Sequence, residues 1–169
     1  MECSKSNCQD ASFLMEQPAH TVKTSSIGSG SRLVYVENYG CASNKHDLEI
    51  MLALLSNAGY LRHAEASSSD IILMNTCAVK KPTEDRILSR LSFLSRLNKP
   101  IVISGCLPKI DLEAVENAAP NYAAAMDPFS ISQIVEVAQA ASRGERGKRY
   151  FSDRPAIKPQ LPHSRLNRF

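Results

Sequence analysis

The sequence predicts an α/β domain on an open, doubly wound, mostly parallel sheet with helices on both faces. Three observations predict it. Short apolar runs alternate with segments of helical period through short connections, which implies crossover helices and parallel pairing. The runs Leu33-Val34-Tyr35-Val36, Ile71-Ile72-Leu73-Met74 and Pro100-Ile101-Val102-Ile103 are continuously apolar instead of alternating, as strands covered on both faces are. Capping and breaking residues fall between these segments, from Asn44 and Gly59 to Ser130 and Gly144.

Residues 1–31 lack periodicity and are rich in Ser, Gln, Lys and Gly, so a disordered N-terminal tail is expected. Residues 33–36 form the first strand, and a loop through Asn38, Gly40 and Cys41 follows. Asn44, with Asp47 three residues on, predicts a helix cap; Leu48, Met51, Leu52 and Leu55 share the inner face, and Gly59 stops the helix. Residues 60–63 add an edge strand. Residues 71–74 form the next strand, then the loop Thr76-Cys77-Ala78 leads to a helix opened by Pro82 and Thr83, with Ile87, Leu88, Leu91 and Leu94 inward. Residues 100–103 form a strand that ends in Gly105-Cys106-Leu107-Pro108. A short helix over 111–117, a weak strand over 122–126 and a last helix from Ser130 and Gln133 complete the domain, with Ile131, Ile134, Val135 and Ala138 buried and Gly144 as the stop. The arrangement expected is a flavodoxin-like three-layer sandwich over residues 32–143, followed by a basic linker over 144–169.

The chain has 169 residues, 43% hydrophobic and 22% charged, ordinary values for a globular domain. Its net charge of +3 is unevenly spread: from Arg143 onward eight Lys and Arg stand against Glu145 and Asp153. Such an arm is a solvated linker or a contact for phosphate. No apolar run reaches a membrane span, and the N-terminus lacks a secretory pattern, so a cytoplasmic protein with reduced thiols is expected. Five cysteines, an odd and sparse set, point away from a disulfide framework.

Cys41, Cys77 and Cys106 each fall just past the C-terminal end of an expected strand. In an open parallel sheet those ends share one edge, where ligand sites gather. A single cysteine is most often a small buried hydrophobe; three at equivalent loop positions favour ligation. Gly40 and Gly105 precede two of them, and glycine allows backbone to come close to a bulky ligand. Three thiolates suit a [4Fe–4S] cluster with one open iron. They also suit a zinc site whose fourth ligand is His46 or His63. Composition and topology leave these two open. Cys3 and Cys8 lie in the N-terminal tail, with a spacing that signals no ligand set.

The stretch Glu37-Asn38-Tyr39-Gly40-Cys41-Ala42-Ser43-Asn44, followed by Asp47 and Glu49, resembles the first cysteine motif of the radical-SAM tRNA methylthiotransferase family. Asn75-Thr76-Cys77-Ala78-Val79-Lys80 and Gly105-Cys106-Leu107-Pro108 resemble its second and third. The resemblance covers about residues 33–141. The run Lys80-Lys81-Pro82-Thr83-Glu84-Asp85-Arg86 and Cys106-Leu107-Pro108-Lys109 resemble the threonylcarbamoyladenosine branch. The resemblance implies an N-terminal domain that holds an auxiliary [4Fe–4S] cluster through Cys41, Cys77 and Cys106. It also implies a separate radical domain with a second cluster and S-adenosylmethionine, and a sulfur species at the open iron that becomes the methylthio group. The implied partner is tRNA, modified beside the anticodon at C2 of N6-threonylcarbamoyladenosine, with neither membrane nor DNA involved.

No cysteine follows Cys106, so the C-x-x-x-C-x-x-C motif that the resemblance implies for the radical domain's cluster is absent, and residues 161–169 resemble the lead-in to that domain. The expectation is therefore a truncated enzyme, or half of a split enzyme with a separate radical-SAM subunit, inactive by itself. A stand-alone cluster- or zinc-binding scaffold without catalysis is the alternative. A flavodoxin-like nucleotide binder is disfavoured, since the loop after its first strand should be rich in Ser, Thr and Gly, and here a thiol occupies the centre. Asn38, Asn44 and Asn75 flank the cysteine loops and can cap helices, satisfy turns or donate to cluster sulfides.

Overall fold

The computed structural model describes residues 32–78, 81–154 and 161–163, without the side chains of Lys81 and Pro82. The expected disordered tail over 1–31 lies outside these residues, as does most of the chain beyond 154. Six parallel strands, β1 Arg32–Asn38, β2 Tyr60–His63, β3 Ile71–Thr76, β4 Ile101–Gly105, β5 Ala124–Met126 and β6 Lys148–Tyr150, form one open sheet in the order β2-β1-β3-β4-β5-β6. The helices are α1 Ala42–Asn57, α2 Lys81–Ser95, α3 Leu107–Ile110, α4 Leu112–Ala118 and α5 Ile134–Ser142, the last preceded by a 3-10 turn over Ile131–Gln133.

The apolar strands explain the sandwich. In β3 every residue is buried, and alternate side chains serve opposite faces. Ile71 and Leu73 pack with Leu48, Met51 and Leu55 of α1 and with Ile134 and Val137 of α5. Ile72 and Met74 pack with Ile87, Leu91 and Leu94 of α2 and with Val115 of α4. Each fully buried aliphatic side chain contributes about 1.5–3 kcal/mol, so the two helical layers hold the sheet from both sides. Gly59 and Gly144 adopt left-handed conformations, φ 84° and φ 87°, just beyond the helix ends where stops are expected.

Two local expectations differ from the structure. Helix α1 starts at Ala42 with Cys41 at the cap position, because Asn44 turns inward instead of capping. Residues 148–150, read from sequence as basic linker, form β6, which pairs with β5 through Ala124↔Lys148, Ala125↔Arg149 and Met126↔Tyr150. The run Lys-Arg-Tyr carries no apolar signal; backbone pairing to a free sheet edge makes it a strand, with Gly147 at φ 65° turning the chain into it.

A buried carboxylate fixes this end of the sheet. Asp127, just past β5, is fully buried and accepts from Ser130 Oγ at 2.8 Å, Phe129 N at 3.1 Å, Lys109 Nζ at 3.0 Å and Ser152 N at 3.1 Å. Burial alone would raise its pKa, but the Ser130, Lys109 and Ser152 donors outweigh burial and hold it below the usual carboxylate value. Replacing Asp127 with Ala leaves the Lys109 ammonium with the Ser152 carbonyl alone and three further donors, Ser130 Oγ, Phe129 N and Ser152 N, without their acceptor. The expected cost is about 3 kcal/mol, read as a lower urea midpoint with an unchanged denaturant slope.

Candidate functional site

The strand order places the site. The chain runs from β1 outward to β2 and then crosses back to β3 on the other side of β1, so the winding reverses between β1 and β3. In open α/β sheets the crevice at the carboxyl ends of the strands flanking such a reversal is where ligands bind. Cys41 follows β1 by three residues, Cys77 directly follows β3, and Cys106 directly follows β4. The three strands are neighbours, paired through Asn38↔Asn75 and Thr76↔Gly105. The structure thus brings all three thiol-bearing segments to one edge, as the sequence predicts.

The thiols differ in exposure: Cys77 is 7% exposed, Cys106 is half-buried and Cys41 is exposed. None is in a disulfide. Among the described residues no three His, Cys, Asp or Glu side chains stand in a metal-ligating group. The three cysteines therefore share an edge without being gathered into a preformed ligand cage. Their donor set, three thiols on neighbouring strand ends, suits a thiophilic centre.

A polar lattice pins the three segments together. The Thr76 carbonyl accepts from Asn44 Nδ2 at 2.6 Å and from Cys106 N at 3.1 Å. Asn44 Oδ1 accepts from Cys41 Sγ at 3.5 Å. Asn75 Nδ2 donates to Asn38 Oδ1 at 2.9 Å and to the Asn44 carbonyl at 2.7 Å, while the Asn75 carbonyl accepts from Tyr39 N at 2.9 Å. Thr76 Oγ1 donates to the Ser104 carbonyl at 2.7 Å, tying β3 to β4. Asn38, Asn44 and Asn75 thus serve as cross-braces between the cysteine segments. Asn75 Oδ1 is buried and has no partner among the described residues.

The two glycines before cysteines have a different reason from the one expected. A Cβ on Gly105 would collide with the backbone of Thr76, and φ at Gly105 is 104°. A Cβ on Gly40 would collide with the side chain of Asn44. Both glycines therefore clear space for the protein's own braces. His46 and His63 do not join the thiols: His46 stacks on His163 at 4.8 Å between ring centroids, and His63 Nε2 pairs with Ser68 Oγ at 2.8 Å.

A second cluster braces the Cys41 loop from the other face of the sheet. Glu37 Oε1 accepts from Tyr35 OH at 2.7 Å and from Arg90 Nη2 at 2.6 Å, and Oε2 accepts from Tyr39 OH at 2.7 Å. Arg90 Nε adds a further bond at 2.9 Å. Burial opposes the Glu37 charge, yet the hydrogen bonds from Arg90, Tyr35 and Tyr39 prevail and depress its titration. The Tyr39 hydroxyl is pushed far up, by burial first and by its bond to Glu37 next. Tyr35, Glu37 and Tyr39 lie two apart in sequence, a period that puts them on one strand face. That signal was present in the sequence, whereas the partner Arg90, 53 positions on, carried none.

Two outcomes follow from this geometry. Gly105→Ala combines a left-handed backbone with a backbone collision and is expected to cost about 3 kcal/mol, read by chemical denaturation. For Glu37, the folded carboxyl titrates below its ordinary value of 4.5. The unfolded chain therefore takes up that proton first as pH falls. The Glu37 contribution is complete above about pH 4.5 and lost as pH drops through the folded value. Glu37→Gln is expected to lower stability by about 2 kcal/mol at neutral pH, and to flatten the acid limb of a stability–pH curve. An unchanged limb would show that Glu37 does not carry it.

Comparison with known proteins places the chain in a family. Residues 33–127 match the family model described as uncharacterized protein family UPF0004, a span that contains all three thiols. A probable threonylcarbamoyladenosine tRNA methylthiotransferase of Pyrococcus horikoshii is 39% identical over 113 residues, 67% of this chain and 26% of that protein. A tRNA-2-methylthio-N(6)-dimethylallyladenosine synthase of Mycolicibacterium smegmatis is 39% identical over 100 residues, 56% of this chain and 20% of that protein. The ribosomal protein uS12 methylthiotransferase RimO of a Synechococcus species is 36% identical over 113 residues, 67% of this chain and 25% of that protein. The chain thus spans about a quarter of the length of these relatives. No described helix is long and apolar enough to cross a membrane. With more than half of its residues matched and relatives named as methylthiotransferases on either side of the tRNA and protein divide, the chain belongs to the UPF0004 family of methylthiotransferase N-terminal domains.

Proposed function

We propose that this chain is the auxiliary cluster-holding, sulfur-delivering domain of a tRNA methylthiotransferase, with Cys41, Cys77 and Cys106 as the three ligands of a [4Fe–4S] cluster. The observation that carries the reading is the placement of three thiols at the carboxyl ends of three neighbouring parallel strands, on both sides of the winding reversal. The substrate proposed is N6-threonylcarbamoyladenosine beside the anticodon. It rests on the Lys80–Arg86 and Cys106–Lys109 motifs and on the relative of that name. Radical chemistry with S-adenosylmethionine is assigned to none of these residues, which span about a quarter of the relatives' length.

When bound, a cluster with three thiolate ligands leaves one iron open to an exogenous sulfur ligand. The rest is done by this chain. Buried Cys77 is the inner ligand, fixed by the strand before it. Cys106 is set by the Thr76 carbonyl through its own N–H. Cys41 is the outer ligand, on a loop held by Asn44, Asn75 and Tyr39 but exposed at its tip. Its exposure would give iron a route to the site. The thiols must deprotonate to bind, so uptake releases protons and weakens as pH falls.

Anaerobic reconstitution with iron and sulfide is expected to give a brown protein holding about four irons. Cys41→Ala, Cys77→Ala and Cys106→Ala are each expected to lose the charge-transfer absorption and most of the iron. Retention of full iron by Cys77→Ala would sink the ligand assignment. Stoichiometric zinc with no iron uptake would replace the cluster by a zinc scaffold.

A further inference from the structure

We propose that the groove between the Cys41 loop and helix α2 is a contact for a single-stranded stretch of RNA, with an unstacked base against Phe93 and the adjoining phosphate at Arg86. The proposal deepens the function proposed above and relies on its RNA substrate. The groove has a volume of about 480 Å³ and is lined by Tyr39, Asp85, Arg86, Ser89, Arg90 and Phe93. Positions 86, 89, 90 and 93 recur at helical spacing, so one face of α2 forms one wall and Tyr39 the other.

Three features of this wall suit a nucleotide. Phe93 is 52% exposed, although Ile87, Leu91 and Leu94 on the same helix are fully buried. An aromatic ring left in solvent beside a groove is a stacking surface, and stacking on aromatic side chains is how unpaired bases are held. Arg90 lies over that ring, its Cζ 4.9 Å from the centroid, while its Nε and Nη2 are bound to Glu37. Its guanidinium plane is therefore set before any ligand arrives, and little side-chain freedom remains to be lost on binding. Arg86 is exposed one turn before Arg90, placed to meet a phosphate that flanks a stacked base.

The charge balance agrees. The negative groups here are already engaged: Glu37 lies beneath the groove in its four-donor cluster, and Asp85 has a partner of its own. The exposed rim carries Arg86 and Phe93 beside the already engaged Asp85, and lacks the continuous apolar surface of a protein interface. Its location gives it a purpose. Tyr39 precedes Cys41 by two residues, at most about 7 Å of extended chain. A base held against Tyr39 and Phe93 therefore lies at the lip of the thiol edge.

The test measures binding of a fluorescently labelled single-stranded RNA of about a dozen nucleotides to this chain by anisotropy, across a salt series, with iron uptake followed separately on the same variants. Phe93→Ala and Arg86→Ala are each expected to weaken binding about tenfold, the scale of one lost base stack or phosphate contact. Arg86→Ala is also expected to reduce the salt slope by about 0.7. Phe93→Ala should leave the slope intact, and an RNA duplex of equal length should compete poorly. Iron uptake is expected to be unchanged, because neither residue bonds to a thiol segment. Binding that survives Phe93→Ala, or a duplex that competes as well as the single strand, overturns the proposal. Loss of iron uptake in the wild type with RNA binding as described would overturn the cluster reading and leave this one standing.

Discussion

A single backbone carbonyl, that of Thr76, sets the geometry of the thiol edge. It accepts from Asn44 Nδ2 and from Cys106 N, so both its lone pairs are used. One bond holds the first turn of α1, and with it the Cys41 loop; the other holds the chain as it leaves β4. Cys77 is the next residue along. Three segments far apart in sequence are thus referenced to one atom, and the neighbouring residues accommodate that atom. Gly105 lacks a side chain where Thr76 must pass, and Gly40 lacks one where Asn44 must reach. Asn44 is buried within α1 and forgoes capping so that it can span the gap.

The site combines a rigid floor with a looser rim. Cys77 and the polar braces sit where strands, both helical layers and side-chain hydrogen bonds converge. Cys41 reaches solvent, although Asn75 on one face and the Glu37–Arg90 pair on the other grip the backbone just before it. Two of the three thiol segments are thus fixed and the third is reachable from solvent without opening the core.

Most of the layer architecture was legible in the sequence, because β1, β3 and β4 are continuous apolar runs and the helices keep clean inner faces. The edge position of the three cysteines followed from that topology. What escaped was whatever depended on a partner distant in sequence. Lys148-Arg149-Tyr150 is a strand only because β5 offers it an edge. Asn44 looked like a cap because local spacing cannot reveal the Thr76 carbonyl 32 positions on. Gly40 and Gly105 were read correctly as sites of close approach but attributed to a ligand. Arg90 was invisible beside Glu37 for the same reason, and Asp127 showed no sign in sequence of its four donors.

Lys109 gives the edge a mechanical character. It stands three residues after Cys106, on the short helix that Cys106 begins, and its ammonium grips both Asp127 and the Ser152 carbonyl. Ser152 lies just beyond β6, on the outgoing chain. Ser152 is held there twice, its carbonyl by Lys109 and its N–H by Asp127. The segment that carries Cys106 is thus tied through Lys109 to the chain just beyond β6.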